Sequence, residues 1–348
     1  MKLLSSLLLL GICALSALAQ IPKIEPGVSH ELDAWRAAHY SEIRYKLNLT
    51  LEKMSPVLKG AIEIRLRVNT PAYGVIPIIL DWRKIACHEN DSTITNVTIN
   101  GISVIPPPPP RKLDEELSVE DVAPQFRQIN DHLVFEYTAV GENIIKLDFT
   151  STILTTGSAI TRYIDKEDGS EYIYSLLSPL NASTAFPMFD QPDLKTRFTL
   201  NLLTPDDWRV ISNTSHKEQP IGAPPEFTKL PSGVRNYEFG ETRPIGTYDF
   251  AFAAGPWGQF TDMEKEYGRV SKKDFPVDTH IYARKSQYVK AGNHVAKLFK
   301  TARESNKYFD YKSGLPKYDL VLIPDLPSEM IQAAGITFVR ESSIIREK

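Results

Sequence analysis

Short runs in which apolar and polar residues alternate are the feature of this sequence that most restricts its fold. The clearest apolar positions are Tyr45, Leu47, Leu49 and Leu51, then Ile62, Ile64, Leu66 and Val68, then Phe198, Leu200 and Leu202. Successive side chains of a strand point to opposite faces, so this period of two predicts strands with one buried and one solvent-exposed face. Proline and glycine interrupt residues 40–260 often enough to keep such strands short. The sequence therefore predicts a β-sandwich-like domain over this stretch.

The pattern changes after about residue 260. Apolar residues that begin at Tyr288 recur at helical spacing and predict an amphipathic helix that ends near Asn306. Two apolar runs, 318–324 and 335–339, predict buried strands. We therefore expect a mainly β chain in which an incomplete α/β segment follows the β-domain. The expected boundaries are 20–260 for the β-domain and 261–348 for the α/β segment.

Residues 1–19 have the pattern of a secretory signal peptide. Lys2 supplies a basic start, an apolar run follows, and Ala17-Leu18-Ala19 is a small-x-small cleavage site. A lipoprotein signal would need a small residue before Cys13, where Ile12 stands. The apolar run is shorter than the roughly 18 residues of a membrane span. The sequence thus predicts a secreted protein, extracellular or periplasmic, that is cleaved after Ala19 and has no membrane span.

Charge and cysteine content exclude several classes of partner. The formal net charge is −3, which argues against a nucleic-acid or anionic-membrane partner. Cys87 is the single cysteine after the signal, so neither an internal disulfide nor a cysteine-rich metal site is expected. The chain also has N-glycosylation sequons, which predict surface loops in a glycosylating host. They begin at Asn48, Asn90, Asn96, Asn181 and Asn213.

Three stretches, in order, resemble the aminopeptidase N family of zinc metallopeptidases. The most specific is Phe186-Pro187-Met188-Phe189-Asp190-Gln191-Pro192, followed by Lys195 and Phe198. The others are residues 281–284 with the helix after them, and residues 315–325 with the segment that leads to residue 341. The resemblance implies a β-saddle as the N-terminal domain and the beginning of a thermolysin-like catalytic domain after it.

The family's substrate loop, G-[AG]-M-E-N, has a counterpart here that departs from the pattern. Aligned without gaps, it falls on Glu329, Met330, Ile331, Gln332 and Ala333, the positions expected to contact substrate. In the family the loop's glutamate pairs with the free α-amine of a peptide, and here that position is Gln332, a neutral acceptor. A one-residue shift would instead place Ile331 there. The resemblance puts a second amine anchor near Ser178, which carries no charge.

Family catalysis needs H-E-x-x-H, in which two histidines bind zinc and the glutamate activates water. The His-Glu pairs of this chain, at His30 and His88, lack the second histidine. We therefore expect no catalytic residues and no metal ligands in this chain, although the resemblance implies zinc for a full-length relative.

These observations lead to two functional hypotheses. The first is the N-terminal portion of a secreted zinc aminopeptidase, truncated before H-E-x-x-H and without autonomous activity. Its partners would be peptides with a free N-terminus, and a separate chain could carry the zinc half. The alternative is a non-catalytic relative whose β-domain binds a peptide or protein. A chain of this length is expected to leave Ile323, Ile336 and Phe338 without partners and the α/β segment poorly stable.

Overall fold

The computed structural model describes residues 21–69, 76–106, 125–136, 138–179, 181–217, 231–261, 278–308 and 317–345. The signal peptide predicted over residues 1–19 lies outside these ranges. Strands dominate the described part of the chain, which confirms the mainly β fold class.

The first eight strands are β1 (Tyr40–Thr50), β2 (Val57–Val68), β3 (Ile78–Asp81), β4 (Thr93–Ile99), β5 (Ile102–Ser103), β6 (Phe126–Ile129), β7 (His132–Phe135) and β8 (Gly141–Thr152). The next seven are β9 (Ile160–Ile164), β10 (Glu171–Ser175), β11 (Arg197–Pro205), β12 (Arg209–Ser212), β13 (Val234–Phe239), β14 (Phe252–Gly255) and β15 (Gly258–Thr261). They form a seven-stranded sheet in the order β13-β11-β1-β2-β8-β4-β5, a sheet β3-β7-β6 and a sheet β12-β14-β10-β9. Strand β15 belongs to a further sheet, described below.

The seven-stranded sheet follows from the alternating pattern. In β2, Ile62, Ile64, Leu66 and Val68 are all buried, while Arg65 and Arg67 between them are exposed. Strand β8 pairs with β2 antiparallel over the whole length of both strands. Strand β1 pairs antiparallel with β2 and parallel with β11, so the first strand of the chain ends up inside the sheet.

A helix precedes the first strand, and the alternating pattern gave no indication of it. Helix α1 spans His30–His39, and its N-cap Ser29 accepts a hydrogen bond at Oγ from the Leu32 amide at 3.2 Å. Acidic residues in the first turn and basic residues in the last turn complement the helix dipole. Leu32 and Trp35 are buried in the main core, and Arg36 is buried beside them.

The C-terminal elements form a five-stranded sheet in the order β15-β16-β17-β19-β18. Its other elements are β16 (Asp278–Ala283), helix α2 (Tyr288–Tyr308), β17 (Lys317–Ile323), β18 (Met330–Ala333), β19 (Ile336–Arg340) and the short helix α3 (Glu341–Ile344). Strands β16, β17 and β19 are mutually parallel. Helix α2 and two strands thus lie where the sequence predicts them, and the helix runs two residues past the expected end.

The expectation that Ile323, Ile336 and Phe338 lack partners is wrong. Their relative exposures are 0%, 0% and 2%. They belong to a buried cluster with residues of the sheet β12-β14-β10-β9, and the rings of Tyr174 and Phe338 have centroids 6.3 Å apart. The reason is that this small sheet has a second apolar face, which covers the α/β segment from the β-domain side.

Helix α2 covers the opposite face of the five-stranded sheet. Its Ala291, Val295 and Phe299 pack with Leu322 of β17 in a separate buried cluster. Strand β17 is therefore buried on both faces, as is usual for a central parallel strand.

Candidate functional site

The Phe-Pro-Met-Phe-Asp-Gln motif lies inside the β-domain. Met188 forms an isolated antiparallel bridge with Asp81 at the end of β3. The amide of Asp190 donates to Asp81 Oδ2 at 2.7 Å. Gln191 accepts a hydrogen bond from Arg36 at 3.3 Å. The motif is thus tied to the core by buried hydrogen bonds, and its side chains are not presented to solvent.

Arg36, Asp81 and His132 form a buried ionic cluster beneath this motif. Arg36 forms a bidentate pair with Asp81, donating from Nη1 to Oδ2 at 2.9 Å and from Nη2 to Oδ1 at 2.6 Å. His132 Nδ1 lies 2.7 Å from Asp81 Oδ1. Its Nε2 faces the carbonyl oxygens of Glu25 and Gly27 at 2.9 and 3.0 Å, which anchors the segment before α1. Burial alone would raise the pKa of Asp81, but Arg36 and His132 hold it below its usual value.

The motif's Asp190 connects this cluster to the surface. Its Oδ2 accepts from the Ser183 amide at 3.1 Å, and its Oδ1 accepts from the Tyr248 hydroxyl at 2.8 Å. Burial raises the pKa of Asp190. Tyr248 belongs to a single 3-10 turn, Thr247–Asp249, that lines a surface cleft.

That cleft, of about 550 Å³, is bounded by residues of the β-domain and of the C-terminal sheet. On the β-domain side it is lined by the loop after β8, by β10 with the loop that follows it, and by the 3-10 turn. On the other side it is lined by the segment after β17 and by β18 and β19. Tyr174 and Phe338 contribute an apolar floor.

The structure brings three of the five predicted substrate-loop residues to this cleft. Ile331, Gln332 and Ala333 line it, whereas Glu329 and Met330 do not. All five residues lie in or beside β18, the edge strand that pairs with β19 alone among the described strands. The Gln332 side chain is exposed.

Ser178, the position of the second expected amine anchor, lines the same cleft. It is exposed, and its Oγ accepts from Asn181 Nδ2 at 3.3 Å. The structure therefore brings together two positions that are far apart in sequence and that the resemblance predicts to meet a peptide's amino end.

The described lining residues include two carboxylates, Asp249 and Asp325, and no lysine, arginine or histidine. Asp249 Oδ2 accepts from the Gly246 amide at 3.2 Å, which caps the 3-10 turn. Asp325 is exposed, and its carboxylate has no hydrogen-bond or ion-pair partner in the described part of the chain. Burial, and then the nearby Asp325 carboxylate, raise the pKa of Tyr174 to about 12. The cleft is therefore suited to a cationic group.

Asp325 is not among the site residues predicted from the sequence, although a signal for it is present there. Asp325 comes two residues after β17, at the carboxyl end of a parallel strand. Ligands of α/β sheets bind at such ends, so the residue type and its place together indicate a site.

A zinc site does not fit the described residues. No three histidine, cysteine, aspartate or glutamate side chains of the described ranges are grouped so that they could hold a metal ion. Likewise, within those ranges, no helix has both the length and the apolar content that crossing a bilayer requires.

Comparison with known proteins gives a consistent result. Residues 41–248 match the family model of the Peptidase M1 N-terminal domain. Aminopeptidase N of Streptomyces lividans is 26% identical over 214 residues, which cover 60% of this chain and 22% of that protein. Endoplasmic reticulum aminopeptidase 1 of Rattus norvegicus is 24% identical over 337 residues, which cover 94% of this chain and 32% of that protein.

A third relative extends the same result. Aminopeptidase A of Gloydius brevicauda is 24% identical over 320 residues, which cover 90% of this chain and 30% of that protein. The chain thus spans about a third or less of the length of these curated relatives. Because the family model matches more than half of the chain, the chain belongs to the M1 peptidase family and carries its N-terminal domain.

Proposed function

We propose that this chain is the N-terminal portion of a secreted M1-type aminopeptidase and that its cleft receives the amino end of a peptide. The observation that carries this proposal is the common cleft of Gln332 and Ser178, the two positions that resemble the family's amine anchors. In this proposal 20–260 is the N-terminal domain and 261–348 begins the catalytic domain.

The cleft's charge supports an ammonium ligand. A peptide's α-amine is protonated near neutral pH, and a carboxylate forms a charge-assisted hydrogen bond with it. Asp325 supplies that carboxylate, while Gln332 and Ser178 supply neutral acceptors. The apolar floor of Tyr174 and Phe338 would then accommodate the first side chain of the peptide.

The strand beside the cleft supports an extended ligand. β18 pairs with β19 on one side, and its other edge has no partner strand among the described residues. An extended peptide can add to such an edge through main-chain hydrogen bonds. Binding and orientation are therefore the roles that we assign to this chain. Hydrolysis, and the zinc that supports it, are proposed for the longer protein or for a separate chain that carries the zinc half.

Calorimetric titration of the chain from residue 20 with Leu-Gly-Gly and with its N-acetyl derivative tests the proposal. We expect the free amine to bind about tenfold more tightly, which corresponds to about 1.4 kcal/mol. Equal affinities, or no binding of either peptide, would contradict it.

The Asp325→Asn variant should lower the affinity for Leu-Gly-Gly about fivefold, because a charge-assisted bond becomes a neutral one in an exposed position. Glu329→Gln is the matched control: its carboxylate is also exposed and lies a few residues away, but it does not line the cleft. If both variants bind as the wild type does, Asp325 is not the anchor.

A non-catalytic, peptide-binding relative is the second candidate function. The neutral side chains at Gln332 and Ser178 favour it, because they weaken selection for a free N-terminus. The two candidates differ in the longer protein. An aminopeptidase hydrolyses leucine arylamide when zinc is supplied, whereas the binding relative retains the peptide uncleaved.

Secretion is a separate part of the proposal, supported by the pattern of residues 1–19. N-terminal sequencing of the protein recovered from the medium of an expressing culture should begin at Gln20. A product that begins at Met1 and stays inside the cells would contradict secretion.

A further inference from the structure

Asn213 directly follows β12 and is the one sequon asparagine with a fully engaged, buried side chain among those described. It is 4% exposed. Its Nδ2 donates to the carbonyl oxygens of Asp249 and Ala334 at 2.6 and 2.8 Å. Its Oδ1 accepts from the Ala251 amide at 2.9 Å. Both amide protons and the carbonyl oxygen of this side chain are therefore used inside the fold.

These partners come from the two opposite walls of the cleft. Asp249 and Ala251 line it on the β-domain side, and Ala334 directly follows the last residue of β18. The side chain of Asn213 thus connects the two walls at the point where β18 turns back into β19.

The main chain makes a second contact at the same point. Gly335 has a φ of +76°, and a Cβ at this position would lie 2.4 Å from the Asn213 carbonyl oxygen. The turn between β18 and β19 therefore rests directly on the backbone of Asn213, and a residue larger than glycine would push the two apart.

We propose that Asn213 is the positioning residue that fixes β18 against the β-domain wall of the cleft, and that its sequon carries no glycan in the folded protein. The effect on peptide binding rests on the proposed function. The absence of a glycan does not, because it follows from the fold alone. A glycan on Nδ2 replaces one of the two N–H groups, so one hydrogen bond across the cleft is lost. The sugar would also need space where the Asp249 or Ala334 carbonyl now lies within 2.8 Å.

Glycan occupancy in protein secreted from a eukaryotic host is the first test. Peptide mass spectrometry of the folded monomer should show Asn213 unmodified. Ser215→Ala is the matched variant: it removes the sequon at an exposed position and leaves Asn213 in place, so neither this variant nor the wild type should carry glycan mass on Asn213. A glycan on Asn213 in protein that still unfolds cooperatively would overturn the proposal.

The second test uses Asn213→Asp, which keeps the shape and the acceptor but removes the two donated bonds. Hydrogen exchange of the amides in 330–340 should accelerate at least tenfold, while exchange in β2 and β8 stays as in the wild type. The affinity for Leu-Gly-Gly should fall in parallel. Unchanged exchange in 330–340, or an equal acceleration in β2 and β8, would overturn the positioning role.

The two proposals fail in distinguishable ways. If wild-type protein binds no peptide, the proposed function fails, but the exchange and glycan measurements still decide the role of Asn213. If the wild type binds Leu-Gly-Gly and Asn213→Asp binds it equally well, the proposed function stands and the positioning role is wrong.

Discussion

The segments 186–192 and 329–333 both carry the resemblance to aminopeptidases, yet they lie in opposite environments. In the first, Asp190 and Gln191 are buried and bonded to partners from α1, β3 and the 3-10 turn. In the second, Met330 is 57% exposed and Gln332 has an exposed side chain. A buried network constrains each of its members, because removing one leaves the others unsatisfied. An exposed edge strand tolerates substitution, and Gln332, one of the two neutral positions at which the resemblance implies an amine anchor, lies in that strand.

The largest effect should come from Asp81→Asn, at the centre of the network under 186–192. The substitution leaves Arg36 buried without its counter-charge, which costs about 3–5 kcal/mol of unfolding free energy. Urea unfolding followed by tryptophan fluorescence measures it. Asp207→Asn is the control, because its ion pair with Lys53 is exposed and should contribute at most about 1 kcal/mol. Equal losses of unfolding free energy in the two variants would show that the buried network contributes no more to stability than an exposed ion pair.

Ile323→Ala tests whether the C-terminal sheet is as firmly packed as the β-domain. A buried isoleucine truncated to alanine loses about 2–4 kcal/mol through lost burial and the cavity left behind. Val289→Ala, at a site that is 90% exposed, should change the unfolding free energy by less than about 0.5 kcal/mol. If Ile323→Ala were neutral as well, the C-terminal sheet would lack the cover described above.

The buried network also predicts how stability depends on pH. The pKa of Asp81 in the unfolded chain is about 3.9, and its pKa in the folded protein is lower. Its stabilising contribution is therefore complete above the unfolded pKa and is lost as the pH falls through the folded pKa. Asp190 acts with the opposite sign, because its folded pKa is raised and its contribution is lost as the pH rises.

The unfolding free energy of the wild type, obtained from urea titrations, should therefore fall on acidification below about pH 4, with a slope of at most about 1.4 kcal/mol per pH unit for one carboxylate, and the urea midpoint should fall with it. Asp190→Asn removes the opposing contribution and should steepen the acid loss. A midpoint that stays constant from pH 5 to pH 2.5 would contradict the role assigned to Asp81.

Gln332→Glu should give the smallest change, and it is a gain. A carboxylate at the exposed edge strand supplies the charge that the resemblance implies for this position and should raise the affinity for Leu-Gly-Gly about threefold, or about 0.7 kcal/mol. Affinity for the N-acetyl peptide should not change, which makes that peptide the control. The unfolding free energy should also stay within about 0.5 kcal/mol. A weaker interaction with the free amine would indicate that Gln332 does not face the ligand.

The parts of the fold that sequence predicts are those encoded by neighbours in the chain. The alternation of Ile62, Ile64 and Leu66 is visible locally, and these side chains are buried in β2. The cluster that buries Ile323 is not visible in this way, because it includes residues of β10 and β12, more than a hundred residues earlier in the chain. Knowing that a strand is apolar does not reveal which surface covers it.

The residues of the candidate site also fall into those that local sequence predicts and those that only long-range packing brings together. Gln332 and Ser178 are found through motifs, whereas Arg36 meets Asp81 and His132 only after three separate elements have packed. For Asn213 the local motif predicts the wrong environment. Its sequon predicts a surface loop, whereas long-range contacts bury the side chain. Local motifs therefore report which chemistry is available, and packing decides whether it is exposed.

The parallel pairing of β1 with β11 has a consequence for folding on the ribosome. The register runs from Arg44 with Arg197 to Thr50 with Leu203. One edge of β1 therefore stays unpaired until β11, about 150 residues later in the chain, has been synthesised. At about 5–20 residues per second, that interval lasts about 8–30 s. During it, β1 can pair only with β2, which β8 later joins on its other side, and the open edge of β1 is a template for intermolecular pairing. The hazard ends when Leu203 has emerged and β11 closes the edge.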